Sequence, residues 1–159
     1  MSVCRALDIL LVDDSRGDAR LVQEALREES SLDTLHHVSD GIEAMAFLYR
    51  QGAYADKPRP DIVLLDLNMP KKDGREVLRE IKADQNLRMI PVVALSTSAA
   101  RDDVDYCYSF GANAFISKPV ELDDFLQTIR QIRLFWLQVA TLPGFSRPRQ
   151  SLTSLNPIS

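Results

Sequence analysis

Four consecutive branched apolar residues, Ile62-Val63-Leu64-Leu65, stand between two aspartates, Asp61 and Asp66. A strand with one face in water alternates apolar and polar side chains, so a run with no polar face needs apolar cover on both sides. Such a strand belongs inside a parallel sheet, and parallel neighbours are joined by crossover helices. The rest of the chain supplies both. Asp8-Ile-Leu-Leu-Val-Asp13 and Pro91-Val-Val-Ala-Leu-Ser96 are two more short apolar runs, and Thr34 to Ser39 and Ala112 to Ser117 are β-leaning. Between them, apolar residues recur at helical spacing: Ala19, Val22, Ala25 and Leu26 after a Ser15 cap, then Ile42, Ala44, Met45, Phe47 and Leu48 before Gly52. Val77, Leu78 and Ile81 mark a third helix from Asp73 to Asp84, a fourth from Asp102 to Phe110 stops at Gly111, and a last one begins near Glu121. Five β-α units imply an α/β, flavodoxin-like, doubly wound five-stranded parallel sheet in strand order 2-1-3-4-5, with ligands at the carboxyl ends of the strands.

Composition bounds what such a domain does. Of 159 residues, 45% are apolar, enough for the core of one domain. Nineteen basic against 23 acidic residues leave a net charge of -4, with no basic excess for a nucleic acid. No apolar run approaches the roughly 20 residues that span a bilayer, and Asp8 interrupts any signal-peptide reading. The expectation is a soluble, cytoplasmic protein with neither membrane nor nucleic acid as partner. Cys4 and Cys107 lie far apart without metal-ligand spacing. The domain is expected over residues 1–143, and residues 144–159, rich in Ser, Pro and Arg, are expected to form a flexible tail.

The proposed topology gathers charge at one rim. Asp13 and Asp14 close strand one, Asp66 closes strand three, and those strands are neighbours. Each pair of carboxylates at about 4 Å repels by roughly 4 kcal/mol at an effective dielectric near 20, so a cation is required, and Mg²⁺ suits a shell of hard oxygens. Strands four and five end at the same rim in Ser96 and Lys118, a hydroxyl and a point positive charge that suit phosphoryl oxygens. Metal, carboxylate nucleophile, hydroxyl and lysine are what phosphoryl transfer onto an aspartate requires. Asp66, alone on the central strand, is the expected acceptor.

These residues carry a resemblance. Asp13-Asp14, Leu64-Leu-Asp-Leu-Asn-Met-Pro70 with Asp73-Gly74 behind it, Ser96 after Val-Val-Ala-Leu, and Ser117-Lys118-Pro119, in that order and spacing, resemble the receiver domain of two-component response regulators. The resemblance implies Asp66 as phosphoacceptor, with Asp13, Asp14, Asp66 and the backbone carbonyl of Asn68 holding Mg²⁺. It also implies Lys118 on the phosphoryl group, Ser96 as switch hydroxyl and Phe115 as the switch aromatic, where tyrosine is commoner. It further implies a cis Lys118-Pro119 peptide, and a tuning of phosphoryl lifetime by Asn68 and Ser98. The implied protein is a phosphoacceptor that catalyses its own phosphotransfer and slow dephosphorylation, and is not otherwise an enzyme.

Past a generic receiver, the last helix continues through Gln131-Ile-Arg-Leu-Phe-Trp-Leu-Gln-Val-Ala-Thr-Leu-Pro143. Leu122, Phe125, Leu126, Ile129, Ile132 and Trp136 share one stripe, whereas Leu134 and Phe135 fall outside it. A second buried face is implied: either the extension folds back on its own domain, or Leu134, Phe135 and Trp136 join helix 4 and strand 5 in a homodimer or partner surface. Pro58-Arg-Pro-Asp61, Pro70 to Leu78 and Phe135 to Pro143 resemble the response regulators of cyanobacterial-type phytochromes, implying a phytochrome-type histidine kinase as partner. The short chain beyond Pro143 leaves no room for a DNA-binding output domain, so output through protein contacts is expected. His36 and His37, facing opposite ways on a strand, read as structural.

Other readings fit less well. A haloacid-dehalogenase-type phosphatase wants an aspartate where Asn68 stands, and Asp13-Asp14 would repel a flavin phosphate. A receiver-like interaction module acting without phosphorylation is the remaining alternative.

Overall fold

The computed structural model describes residues 6–29, 32–69, 71–97 and 101–143. The five apolar runs form β1 (Asp8–Val12), β2 (Thr34–Val38), β3 (Ile62–Asp66), β4 (Val92–Ser96) and β5 (Ala114–Ser117). They pair in parallel in the order β2-β1-β3-β4-β5. β3 and β4 are buried along their whole length, as strands without a polar face must be. Successive side chains leave the pleat on opposite sides, so each central strand feeds two cores. Leu10, Val12, Val63, Leu65 and Ala94 meet α2 (Gly41–Leu48) and α3 (Gly74–Ala83) through Phe47, Val77, Leu78 and Ile81. Ile9, Leu11, Leu64, Val93 and Leu95 meet α1 (Arg16–Glu29) and α5 (Leu122–Leu134) through Val22, Ala25, Leu26, Phe125 and Ile129. α4 (Arg101–Ser109) inserts its buried Cys107 into the first of these cores.

Register brings the polar strand ends to one rim. Val12 lies opposite both Val38 and Leu65, Asp66 opposite Leu95, and Ser96 opposite Ser117. Asp13, Asp66, Ser96 and Lys118 therefore leave the sheet side by side. α3 starts at this rim with a reciprocal cap, in which the Asp73 carboxylate accepts from the Arg75 N–H at 2.7 Å and Glu76 accepts from the Asp73 N–H at 3.2 Å. Gly74 sits against the β3 exit: a Cβ there would stand 2.4 Å from the Asp66 carbonyl oxygen and 2.6 Å from Leu67 Cα.

Two expectations need correction. There is no cis peptide among the described residues, so Lys118-Pro119 is trans. Trans is the favoured isomer of an X-Pro bond by about 0.5–1 kcal/mol, and from it the Lys118 N–H still closes on the Ser96 carbonyl at 2.7 Å. The apolar stripe of α5 begins at Phe125 rather than Leu122, which is half exposed in the first turn.

Beyond Leu134 the helical path widens into one π turn, Phe135–Val139, closed by the Ala140 N–H on the Phe135 carbonyl at 2.7 Å. The extension divides its side chains. Trp136 and Leu142 pack back on the α1/α5 core, while Leu134 and Phe135 are exposed. Buried Arg133 fastens this end of α5 by pairing with Asp33, whose other oxygen accepts the Leu7 N–H at 3.0 Å. Residues 144–159 and Ser98 lie outside the described residues. Among the described residues no helix is long and apolar enough to cross a membrane.

Replacing Gly74 by alanine forces backbone apart at the β3 exit, since the atoms in the way are main chain. Gly74→Ala is expected to cost about 2–4 kcal/mol in urea denaturation, whereas Gly17→Ala, whose Cβ meets only the Ser15 hydroxyl at 3.8 Å, is expected to change stability little.

Candidate functional site

Asp13 follows the last residue of β1, and its four polar groups are all engaged. Its N–H extends the ladder to the Val38 carbonyl at 3.1 Å, and its own carbonyl lies 2.7 Å from His37 Nε2. Its Oδ1 accepts the Ser15 N–H at 2.8 Å, and its Oδ2 accepts from Lys118 Nζ at 2.9 Å. Only 1% of Asp13 is exposed. Asp66, at the end of β3, is 6% exposed and accepts the Asn68 N–H on Oδ1 at 3.1 Å. Asp14 is exposed beside them. One carboxylate oxygen from each of Asp13, Asp14 and Asp66 falls within 4.8 Å of the others.

Lys118 reaches this cluster from the end of β5. Its ammonium is buried and lies 2.9 Å from Asp13 Oδ2, 2.9 Å from Asp18 Oδ2 and 3.4 Å from Asp66 Oδ2. Burial alone would lower its pKa, but the hydrogen bonds from Asp13 and Asp18 and the charges of Asp13 and Asp66 outweigh that and hold it above the usual lysine value. Asp66 moves the other way for a carboxyl. Burial pushes it up to about 6, with Asp13 adding to the rise, against the opposing pull of Lys118 and the Asn68 N–H.

Asp18 has no part in the sequence reading, yet it takes one of the three ammonium hydrogens. The signal was there: Ser15-Arg-Gly-Asp18 has the spacing of a helix-capping box, which places Asp18 in the first turn of α1 at the carboxyl rim. Ser15 Oγ accepts the Asp18 N–H at 3.1 Å. The Ser15 N–H that a box would offer to Asp18 is already bound to Asp13, so the Asp18 carboxylate turns to Lys118 instead.

The other expected residues fall into place around this centre. Ser96 ends β4 fully buried, one register step from Asp66. Phe115 lies on β5 with its half-buried ring against the α2/α3 core, and its N–H donates to the Tyr108 hydroxyl at 3.2 Å. His36 lies 3.1 Å from the Asp8 carboxylate and packs its ring tilted against Phe47, while His37 faces Asp13, so the two histidines do point opposite ways.

Four carboxylates around one ammonium leave an excess of negative charge, and every available donor is a hard oxygen. That set fits a divalent cation such as Mg²⁺ held by Asp13, Asp14 and Asp66. A buried carboxylate oxygen flanked by an ammonium, with a seryl residue on the next strand, suits transfer of a group that carries several anionic oxygens.

Comparison with known proteins agrees with this geometry. Residues 9–130 match the family model for the response regulator receiver domain. The chain is 50% identical over 136 residues to the response regulator Rcp1 of Synechocystis sp., covering 86% of this chain and 92% of that relative. The crystal structure of the phosphorylated cyanobacterial phytochrome response regulator RcpA superposes with a TM-score of 0.85 at 48% identity, over 88% of this chain and all of that one. The Mn²⁺-bound form of Rcp1 gives a TM-score of 0.82 at 48% identity, over 87% and 99% of the two chains.

The raised Asp66 pKa has a consequence for stability. The folded state binds the Asp66 proton more tightly than the unfolded chain, so this contribution is fully present below about pH 4 and is lost as pH rises through about 6. With metal chelated, Asp66→Asn is therefore expected to be more stable than the parent by about 1–3 kcal/mol at pH 7.5, with the advantage shrinking toward pH 4.5. Urea denaturation of both proteins in EDTA at the two pH values checks this.

Proposed function

The chain belongs to the response regulator receiver family, and on that premise we propose that it accepts a phosphoryl group on Asp66 from a sensor histidine kinase of the phytochrome type, with Mg²⁺ bound beside the acceptor. The observation that carries this reading is the burial of the Asp66 carboxylate at the strand rim, within reach of Lys118 and of two further carboxylates. Its likeness to Rcp1 and to the phytochrome response regulator RcpA supports the choice of donor.

In this mechanism an Asp66 carboxylate oxygen attacks the phosphorus of a phosphohistidine. The P–O bond forms as the P–N bond breaks, and the electron pair stays with the imidazole nitrogen. Asp13, Asp14, Asp66 and the Asn68 carbonyl hold the divalent ion, which when bound supplies charge neutralisation for the carboxylates and the incoming phosphoryl oxygens. Lys118, already set over Asp66, turns its ammonium to a phosphoryl oxygen, and the Ser96 hydroxyl donates to another. Asp66 must be ionised to attack, and its carboxylate is held in place by the Asn68 N–H.

The phosphoryl state acts through the face made by α4, β5 and α5. Ser96 and Phe115 form the switch. Phe115 lacks a side-chain hydroxyl, so its inward and outward states differ only in ring burial. Leu134 and Phe135, exposed at the end of α5, extend the face on which a second copy docks. Trp136, half-buried against its own core, supports that surface from beneath. The domain runs to residue 143.

Incubation with Mg²⁺ and a small-molecule phosphodonor is expected to add one phosphoryl group to the intact mass, and Asp66→Ala or EDTA is expected to abolish the gain. Lys118→Ala is expected to slow the gain at least about tenfold, the scale of losing one charged group that contacts the transferring phosphoryl. An unchanged parent mass, under conditions where another receiver is phosphorylated, would favour an interaction module that works without phosphorylation.

A further inference from the structure

From the contacts at the end of β1, we infer that His37 is a positioning residue for the metal site, acting through the main chain of Asp13. The inference rests on the reading of Asp13 as a metal ligand. In a parallel ladder a residue's N–H and C=O face the same neighbour, so Asp13, whose N–H bonds the Val38 carbonyl, also turns its carbonyl toward β2. β2 ends at Val38, and the chain leaves at Asp40, which caps α2 through the Glu43 N–H at 2.8 Å. The backbone donor for the Asp13 carbonyl thus runs out where the metal site begins, and the His37 imidazole takes its place at 2.7 Å.

A carbonyl oxygen only accepts, so Nε2 carries the proton in this contact. With N–H and C=O both fixed, the Cα of Asp13 has little freedom. Its carboxylate then stays aimed at the cluster, with Oδ1 on Ser15 and Oδ2 on Lys118. Such a tether lowers the ordering cost of metal binding, because one ligand is already placed before the ion arrives.

Three forms of the whole chain separate this role from simple packing. His37→Phe keeps the ring and the strand propensity but removes the donor, and His37→Gln restores an N–H at similar reach. Mn²⁺ binding by calorimetry, with no phosphodonor present, is expected to weaken about three- to tenfold in His37→Phe, the range of one net hydrogen bond, and to return to within about twofold in His37→Gln. The Mg²⁺ concentration that half-saturates phosphorylation is expected to rise in parallel in His37→Phe, with the rate at saturating Mg²⁺ little changed. Equal Mn²⁺ affinity in the parent and His37→Phe overturns the inference and leaves the proposed function standing. A parent chain that binds no Mn²⁺ overturns both. Loss in His37→Phe that His37→Gln fails to recover assigns the effect to the shape of the side chain and also overturns it.

Discussion

Lys118 brings one positive charge to a rim that carries four carboxylates, and most of the local architecture follows from that imbalance. Its ammonium spends its three hydrogens on Asp13, Asp18 and Asp66, and it is closer to the first two than to the third. Of the three it contacts, Asp66 is the one held at the longest distance, and burial raises its pKa to about 6. Asp13 has a hydrogen-bond partner on every polar atom, the Val38 carbonyl for its N–H and donors for its three oxygens. The rim is an assembled anion cluster whose charge and hard oxygens suit a divalent ion.

The sheet was legible because its central strands, β1, β3 and β4, are buried on both sides. Ile62 to Leu65 had no polar residue to offer to water, and that alone required crossover helices and a parallel order. Asp13, Asp14, Asp66, Ser96 and Lys118 were legible because each terminates a strand, and strand ends share a rim whatever the loops do. Asp18 was not read, since its role depends on how α1 crosses the sheet and on Lys118, a residue far along the chain. His37 was read as structural, and its contact with Asp13 depends on where β2 stops, which periodicity does not fix. The π turn after Leu134 was equally hidden, because residue spacing in the last turns does not say which side chains find cover.

Cores on the two sides of the sheet give the receiver two separate jobs. The α1/α5 side fixes the rim from beneath, with Ala19 and Val22 anchoring the helix that carries Asp18. The α2/α3 side holds Gly74 against the backbone of Asp66 and half-buries Phe115. Asp66 is thus packed against the start of α3 through Gly74 and is paired with Leu95 of β4. Leu134 and Phe135 lie exposed at the end of α5.

Metal uptake is the most direct test of this account, because the charge imbalance at the rim is its central claim. Calorimetric titration of Mg²⁺ in buffers of different ionisation heat reads both the number of ions and the protons displaced. The account predicts one ion per chain, with about half a proton released near pH 6 as Asp66 ionises and little at pH 8. Binding that persists unchanged in Asp66→Ala, or an uptake without proton release at pH 6, would contradict it.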